Sequence, residues 1–414
     1  MVLSARLLPY MKHALLRVSR KCPLHYATHA YCNGTSRHIR HARSRVAHFS
    51  EEGYPMTTSA LFPGETEESR HRRRDTTPSN DGRQGALDVI ESWITSMGMN
   101  TMLEPHAGIS PLQSAPPTRA EEFLLMPSPL VCQRAKPYLI TMVTSAPANQ
   151  RARQAIRDTW GGETNVRGLR VMTLFTLGVT SDPGLAKLLI EEARERGDLV
   201  QGRFLDTYSN LTLKTVSMLS WVRRFCAQAH FLAKVDDDVL FNPSALLRLL
   251  NKSHSPYEQV DLYLGRVHLH VAPDRNPDSK HYLSKGAYPH SVFPDYCSGT
   301  AYVLSRSALL KISLAATASP LSTPLPPEDV FVGLCARAAG ILPTHCPLFS
   351  GGPSVPYGRC CYQAMVSVHH VPPRDMLHFW ADSHSSPPCP WLSMRASLCL
   401  CKVRALLGSA LGLA

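Results

Sequence analysis

Long hydrophobic runs are missing from this sequence. Hydrophobic residues make up 44% of its 414 residues, yet no stretch of about 18 uncharged apolar residues occurs anywhere in it. A transmembrane helix is therefore not predicted. The apolar residues fall into short runs, which suffice for one large domain or two ordinary domains with a substantial core.

Acidic residues are missing from the start of the chain. Residues 1–50 contain nine Lys or Arg and no Asp or Glu, so only +3 of the formal charge of +12 belongs to the remainder. The basic balance is a property of this leader, and nucleic-acid binding is not expected. We interpret residues 1–50 as a basic anchor or targeting segment. An organelle transit peptide and a non-natural N-terminus are the alternatives.

The chain also lacks the glycine-rich and cysteine-rich motifs of several common sites. It has no G-x-G-x-x-G, so neither a dinucleotide fold nor a P-loop is indicated, and it has no paired C-x-x-C zinc framework. Its twelve cysteines are many for a cytosolic enzyme and favour an oxidising, secretory compartment. The neighbours Cys360 and Cys361 cannot easily bond to each other, so each is expected to pair elsewhere. Asn210-Leu-Thr is the preferred candidate for glycosylation.

The composition divides the rest of the chain into a stem and a folded part. Residues 51–136 are rich in Pro, Ser, Thr and charge, and we interpret them as a mostly disordered stem. Residues 137–414 contain strand-like and helix-like segments in βαβαβ order. This order predicts an α/β fold with a mainly parallel sheet and crossover helices. The predicted helices are 147–160, 185–196 and 211–225, and the predicted strands include 138–144 and 169–177.

A third strand of this series ends in the acidic triplet Asp236, Asp237 and Asp238. Adjacent carboxylates repel one another and are costly to desolvate unless a cation lies among them. The carboxyl end of a strand is also where an open α/β sheet binds its ligand. The triplet therefore indicates a site for Mn²⁺ or Mg²⁺ shared with substrate phosphates. A solvated acidic turn before the next helix is the alternative.

Other polar residues allow two interpretations each. Arg153 and Arg157 lie one helical turn apart and suit phosphate binding, or form a solvated basic face. Glu328 and Asp329 begin a predicted helix, where they either cap it or supply a general base. The pair at 369–370, His-His, is either structural or a source of a further Mn²⁺ ligand.

Five motifs in order resemble the β-1,3-galactosyltransferases over about residues 130–400. They are Arg153-Gln-Ala-Ile-Arg157-Asp-Thr-Trp160, Asn210-Leu-Thr-Leu-Lys214-Thr215, Lys234-Val-Asp-Asp-Asp238-Val, Ser298-Gly-Thr and Glu328-Asp-Val-Phe-Val-Gly333. The resemblance implies a single GT-A domain, a UDP-sugar donor, Mn²⁺ (Mg²⁺ as the alternative) and inversion at the anomeric carbon.

The resemblance also implies roles for individual residues. Asp236, Asp238 and His369 are expected to form the metal site, with His370 as the substitute for His369. Asp329 is the expected catalytic base. The expected donor-binding residues are Arg153, Arg157, Lys214, Asp236 and Asp237.

Within the family, Leu262-Tyr-Leu-Gly-Arg-Val-His268 and Arg359-Cys-Cys-Tyr362 most resemble members that extend gangliosides. This implies transfer of galactose from UDP-galactose to the 3-hydroxyl of a terminal N-acetylgalactosamine on a glycolipid, at the Golgi membrane with a lumenal catalytic domain. Transfer of N-acetylglucosamine and a glycoprotein acceptor are alternatives. A non-catalytic glycan-binding protein on the same fold is the rival of another class.

Overall fold

The computed structural model describes residues 123–252, 260–279, 281–318, 326–385 and 387–410. The leader 1–50 and residues 51–122 of the predicted stem lie outside the described residues. The final part of the predicted stem, residues 123–136, is folded: it contributes a strand and a helix, and Cys132 is bonded to Cys226. The boundary predicted at 136 is therefore too late. These residues form two very short elements, which leave little periodic pattern in a sequence.

Among the described residues, nine strands form one mixed sheet in the order β1-β5-β4-β2-β6-β9-β8-β10, with β3 paired to β4. β7 pairs with β11 in a separate two-stranded sheet. The strands of the described residues are β1 Phe123–Leu125, β2 Leu139–Thr144, β3 Asn165–Val166, β4 Leu169–Val179, β5 Leu199–Leu205, β6 Phe231–Asp236, β7 Leu240–Phe241, β8 Tyr263–His268, β9 Tyr296–Ser305, β10 Pro343–His345 and β11 Ser367–Val368.

The four central strands β5, β4, β2 and β6 run parallel. This confirms the predicted α/β fold with parallel strands and crossover helices. β9 then pairs antiparallel with β6 and with β8. That antiparallel addition was not predicted, because a linear pattern of strands and helices does not show which strand is laid beside which.

Helices cover both faces of the sheet. Alternate residues of β2 enter different cores: Leu139 and Val143 lie in one cluster, and Ile140 and Met142 in the other. The helices of the described residues are α1 Val131–Ala135, α2 Gln150–Arg157, α3 Pro183–Arg196, α4 Leu211–Phe225, α5 Pro243–Lys252, α6 Arg306–Ala318, α7 Glu328–Ala338, α8 Arg359–Ala364, α9 Pro373–His384 and α10 Trp391–Ala410.

Local signals explain the helix ends. The Asp182 side chain accepts hydrogen bonds from the backbone N–H groups of Gly184 and Leu185, and so caps the start of α3. Gly197 ends α3 in the left-handed conformation, with φ of 63°. The helix predicted over 147–160 is shorter, because α2 ends at Arg157 and a 3₁₀ turn follows at Trp160–Gly162.

Disulfides join the C-terminal helices to the body of the domain. Cys360 is bonded to Cys389, and Cys361 to Cys401. The prediction that these adjacent cysteines pair elsewhere is confirmed. Within the described part of the chain, the length and apolar character needed to cross a membrane do not occur together in any helix.

Candidate active site

The candidate site lies where the parallel strands β2 and β6 end side by side. Thr144 and Asp236 are partners in the register of these strands, and the Thr144 hydroxyl donates to Oδ1 of Asp236 at 2.6 Å. One residue further, the Ser145 hydroxyl donates to Oδ2 of Asp237 at 2.7 Å. The chain places β4 on one side of β2 and β6 on the other, so this is the switch point at which such sheets bind ligands.

Asp238, His369 and His370 form a cluster that could hold a metal ion. One ligand atom from each residue lies within 4.8 Å of the others. Oδ2 of Asp238 is 3.1 Å from Nε2 of His369 and 3.7 Å from Nδ1 of His370. A carboxylate with two imidazoles is a donor set that suits Mn²⁺. The residues therefore fit the ion, and both histidines join the cluster rather than His369 alone.

The small two-stranded sheet brings these histidines to the acidic triplet. β7 follows the triplet directly, and its partner β11 precedes the histidines. The N–H of Val371 donates to the carbonyl of Asp238 at 2.8 Å, and the Ser350 hydroxyl accepts from the N–H of His369 at 2.7 Å. Burial would raise the pKa of Asp238, but the hydrogen bond and charge of His369 outweigh it and hold that pKa below its usual value.

The other two acids of the triplet have different partners. Oδ1 of Asp236 accepts from Thr144 and from Lys234, and Asp236 is not part of the three-residue cluster of the described residues. Asp237 accepts from Ser145 and from the Asn149 amide at 2.9 Å. Burial raises the pKa of Asp237 despite these hydrogen bonds. Asp237 thus fastens the turn after β2 to the end of β6.

Glu328 and Asp329 lie at the start of α7, near the end of the same sheet. Glu328 is buried and accepts from Thr215 at 3.0 Å and from the Tyr302 hydroxyl at 3.1 Å. Burial raises the pKa of Glu328 to about 7, although Lys234 opposes the shift. The carboxylate oxygens of Glu328 therefore make their contacts inside the protein.

Asp329 is only partly buried. Its carboxylate accepts from the backbone N–H groups of Gly299 at 3.2 Å and Val330 at 2.9 Å. Burial raises its pKa as well, although these backbone hydrogen bonds oppose the shift. Of the two acids, Asp329 is the one whose carboxylate can meet a ligand.

Lys234 joins the two acidic groups, although this role was not predicted from the sequence. Its Nζ donates to Asp236 at 2.6 Å and to the carbonyl of Gly299, and lies 3.7 Å from Oε2 of Glu328. Burial alone would lower the pKa of Lys234, but the surrounding carboxylates outweigh it and raise that pKa. The available signal was the spacing of Lys234 and Asp236, since residues two apart on a strand share a face.

With this geometry in place, comparison with known proteins identifies the family. Residues 151–347 match the family model for galactosyltransferases. The chain is 37% identical to β-1,3-galactosyltransferase 4 of Rattus norvegicus over 338 residues, 73% of this chain and 90% of the relative. The chain belongs to the β-1,3-galactosyltransferase family.

Two human members of the family are also similar. β-1,3-Galactosyltransferase 9 of Homo sapiens is 32% identical over 303 residues, which cover 73% of this chain and 79% of that protein. β-1,3-Galactosyltransferase 5 of Homo sapiens is 36% identical over 265 residues, 63% of this chain and 83% of that protein.

In this family member, the cations predicted for the donor phosphates are engaged with the protein. The side chain of Arg153 is fully buried and bonds to both oxygens of Glu192, at 2.6 and 2.9 Å, and to the carbonyl of Ala146. Arg157 bonds to Glu192 at 2.7 Å and to Asp198 at 2.8 Å. These contacts argue against direct phosphate binding by either guanidinium. Helical spacing placed them on one face, but it could not show that a carboxylate from α3 meets them there.

Lys214 is also committed to a structural contact. Its Nζ donates to the carbonyl of Ser145 at 2.6 Å and to Asp206 at 2.9 Å. Together with Arg153, it holds the turn after β2 in place. The galactosyltransferase therefore uses these cations to shape the turn at which a nucleotide is expected, rather than presenting free positive charge there.

The sequon at Asn210 is built into the start of α4. The Asn210 amide donates to the carbonyl of Leu205 at 2.8 Å, and the Thr212 hydroxyl is buried and donates to the carbonyl of Pro326. The threonine that a glycosylating enzyme reads is thus inaccessible in the folded protein. Glycosylation at Asn210 stays a prediction, and it requires attachment before the domain folds.

Proposed function

We propose that this protein transfers galactose from UDP-galactose to the 3-hydroxyl of a terminal N-acetylgalactosamine on a glycolipid, with inversion to a β-1,3 linkage. The observation that carries the proposal is the pairing of a metal-ligand cluster with a separate accessible carboxylate. Asp238, His369 and His370 form the first, and Asp329 is the second. Lys234 connects their supporting residues across adjacent strands.

The two groups suit the two ends of an inverting displacement. The base, Asp329, would accept the proton of the acceptor hydroxyl as its oxygen bonds to the anomeric carbon and the bond to UDP breaks. The pKa of Asp329 is raised by burial, which makes this carboxylate a stronger proton acceptor. Asp238, His369 and His370 would hold Mn²⁺, which when bound supplies charge neutralisation for the departing UDP.

The acceptor class is supported by local motifs. Segments 262–268 and 359–362 carry the motifs that resemble the ganglioside-extending members. These similarities favour a glycolipid over a glycoprotein acceptor.

A Golgi lumenal location is part of the proposal. The described residues contain three disulfides, Cys132–Cys226, Cys360–Cys389 and Cys361–Cys401. Disulfides persist in the secretory pathway and are rare where glutathione keeps thiols reduced. They support a lumenal catalytic domain.

The direct test is a donor and acceptor screen with the purified full chain and Mn²⁺. UDP-galactose and UDP-N-acetylglucosamine are each offered with a glycolipid ending in N-acetylgalactosamine and with a glycopeptide ending in the same sugar. Mass spectrometry identifies the product and NMR the linkage, with Asp329→Asn as the inactive control. We expect a β-1,3-galactosylated glycolipid. Transfer of N-acetylglucosamine would overturn the donor, and glycan binding without transfer by the unmodified chain would favour the binding-protein alternative.

A further inference from the structure

Arg266 occupies a special position between β8 and β9. In the register of these strands, Gly265 faces Tyr302 and Val267 faces Cys297. Arg266 alone therefore lies opposite the segment 298–301, which bulges out of the ladder. Bulges of this kind commonly redirect side chains beside active sites.

The bulge holds the proposed catalytic groups. The Gly299 N–H donates to Asp329, and the Gly299 carbonyl accepts from Lys234. The next residue, Thr300, donates its hydroxyl to the carbonyl of Ser350 at 3.2 Å. Arg266, opposite the bulge, thus lies near Asp329 on one side and near Ser350, which supports His369, on the other.

The Arg266 side chain lies against the two glycines that follow Ser350. A methyl group added at Gly351 would lie 3.2 Å from Cδ of Arg266 and 2.6 Å from the Ser298 hydroxyl. One added at Gly352 would lie 3.3 Å from Nη2 of Arg266. The guanidinium therefore packs directly on the backbone at 351–352. The absence of side chains at these two glycines leaves room for it.

Arg266 has no protein partner for its charge among the described residues. It is half-buried, and its side chain makes no hydrogen bond or ion pair with the other described residues. Its nitrogen atoms are not among the described buried atoms that lack a partner, so the guanidinium reaches open space. Burial alone lowers the pKa of Arg266, with no carboxylate opposing the shift. Arg153 and Arg157 differ, since both are neutralised by acids.

Partial desolvation of an unpaired guanidinium costs free energy unless an anion pairs with it. Its planar fork matches the oxygens of a carboxylate or a phosphate by two parallel hydrogen bonds. Asp329 is close enough for both charges to act on His268: burial lowers the pKa of His268, Asp329 opposes that shift and Arg266 adds to it. Gly351, on which Arg266 packs, also lies against Ser298, and the neighbouring Gly299 donates its N–H to Asp329. An anion at Arg266 would therefore lie near the proposed base.

We propose that Arg266 binds an oxyanion carried by a substrate, either the diphosphate of the donor or a carboxylate of an acidic acceptor glycan. The proposal rests on the proposed transferase function. It goes beyond that function by making Arg266 a determinant of substrate charge. It also gives the glycines at 351–352 a role, because side chains there would collide with Ser298 or crowd the guanidinium.

The test compares the unmodified full chain with Arg266→Gln, Arg266→Lys and the exposed control Arg404→Gln. One arm measures UDP binding by calorimetry in Mn²⁺, without an acceptor. The other measures binding and KM for an acidic glycan with a carboxylate-bearing branch and for its neutral counterpart. We expect Arg266→Gln to weaken the binding of either UDP or the acidic glycan by about 10- to 100-fold. Arg266→Lys should recover part of the loss, and the neutral glycan and Arg404→Gln should show no change.

The two arms separate the sources of the anion. Weaker UDP binding identifies the donor diphosphate, and loss of selectivity for the acidic glycan identifies the acceptor carboxylate. Unchanged values in both arms would overturn the proposal. So would an equal loss for acidic and neutral glycans with UDP binding unchanged, because that result indicates a structural role. Both arms measure ligand binding, so they can be interpreted even if the unmodified chain transfers no galactose.

Discussion

Nζ of Lys234 lies 2.6 Å from Oδ1 of Asp236, two residues further along the same buried strand. The pair is nearly sealed from solvent on the lysine side, and Glu328 lies on the other side of the ammonium group at 3.7 Å. A single cation thus neutralises carboxylates from two parts of the site.

Lys234→Met should destabilise the fold and impair catalysis together. Removing one partner of a buried ion pair costs about 3–5 kcal/mol of unfolding free energy. The charge of Lys234 lowers the pKa of Asp329, so without the ammonium the pKa of this proposed base should rise further. The acid limb of the pH profile of kcat/KM should then move to higher pH. Chemical denaturation and the pH profile measure both effects.

The matched control is Lys311→Met. Lys311 pairs with Asp261 at the same distance of 2.6 Å, but both side chains are solvent-accessible. An exposed pair contributes about 0–1 kcal/mol, so this variant should differ little from the unmodified protein. Equal losses for the two variants would show that Lys234 has no special role.

Asp329→Asn tests the catalytic base. The substitution removes the proton acceptor but keeps the size of the side chain, so kcat should fall by a factor on the order of 10² to 10⁴. Affinity for UDP with Mn²⁺ should be unchanged, since Asp329 is outside the three-residue cluster of the described residues. Glu328→Gln should reduce kcat less. If Asp329→Asn lost UDP binding and Glu328→Gln lost turnover, the two roles would be reversed.

Asp238→Asn tests the metal cluster. The variant removes one ligand charge, and we expect it to abolish Mn²⁺-dependent transfer without changing the circular dichroism of the folded protein. Mn²⁺ binding followed by electron paramagnetic resonance should be lost in parallel. Asp237→Asn is the comparison, because Asp237 contacts Ser145 and Asn149 instead of the histidines. Undiminished turnover of Asp238→Asn would contradict the assignment.

Glu328 should also make stability depend on pH. Its pKa is raised from 4.5 to about 7 in the folded protein, so between these values the folded state holds a proton that the unfolded state has lost. The free energy of unfolding should therefore fall as pH rises from 4.5 to 7, by up to about 3 kcal/mol. Glu328→Gln should remove this component. Denaturation at several pH values measures it, and parallel curves for the two proteins would show that Glu328 does not titrate in this range.

Thiol titration tests the disulfides. Of the twelve cysteines, six form the three disulfides described above. Cys399 is also disulfide-bonded, so denatured, non-reduced protein should show fewer than six reactive thiols. A count of twelve would place the chain in a reducing compartment and contradict the proposed lumenal location.

The sequence predicted the position of the site better than its internal contacts. The strand that ends in Asp236 and the helix that begins at Glu328 were predicted correctly, because hydrophobic periodicity and helix-start signals are local properties of a chain. The use of Arg153 was not predictable in this way. Its partner Glu192 lies on another helix, 39 residues away, and only the packing of α2 against α3 brings the two charges together.

The same limit applies to Lys234 and Gly299. Their contact depends on the antiparallel pairing of β6 with β9, and the order of elements along the chain does not specify that pairing. The strand at Phe123–Leu125 is a similar case. β1 is a three-residue strand whose place is fixed by its partner β5 and not by its own pattern.

The bond between Cys361 and Cys401 has a practical consequence. Cys361 lies on α8, eight residues before His369 of the three-residue cluster, and Cys401 lies on the C-terminal helix α10. The final helix therefore supports the cluster of Asp238, His369 and His370, although none of its described residues belongs to that cluster. A recombinant version shortened before Cys401, or purified with strong reductant, should keep its sheet and the position of Asp329. It should hold His369 and His370 less firmly beside Asp238. Affinity tags are better attached at the other end of the protein.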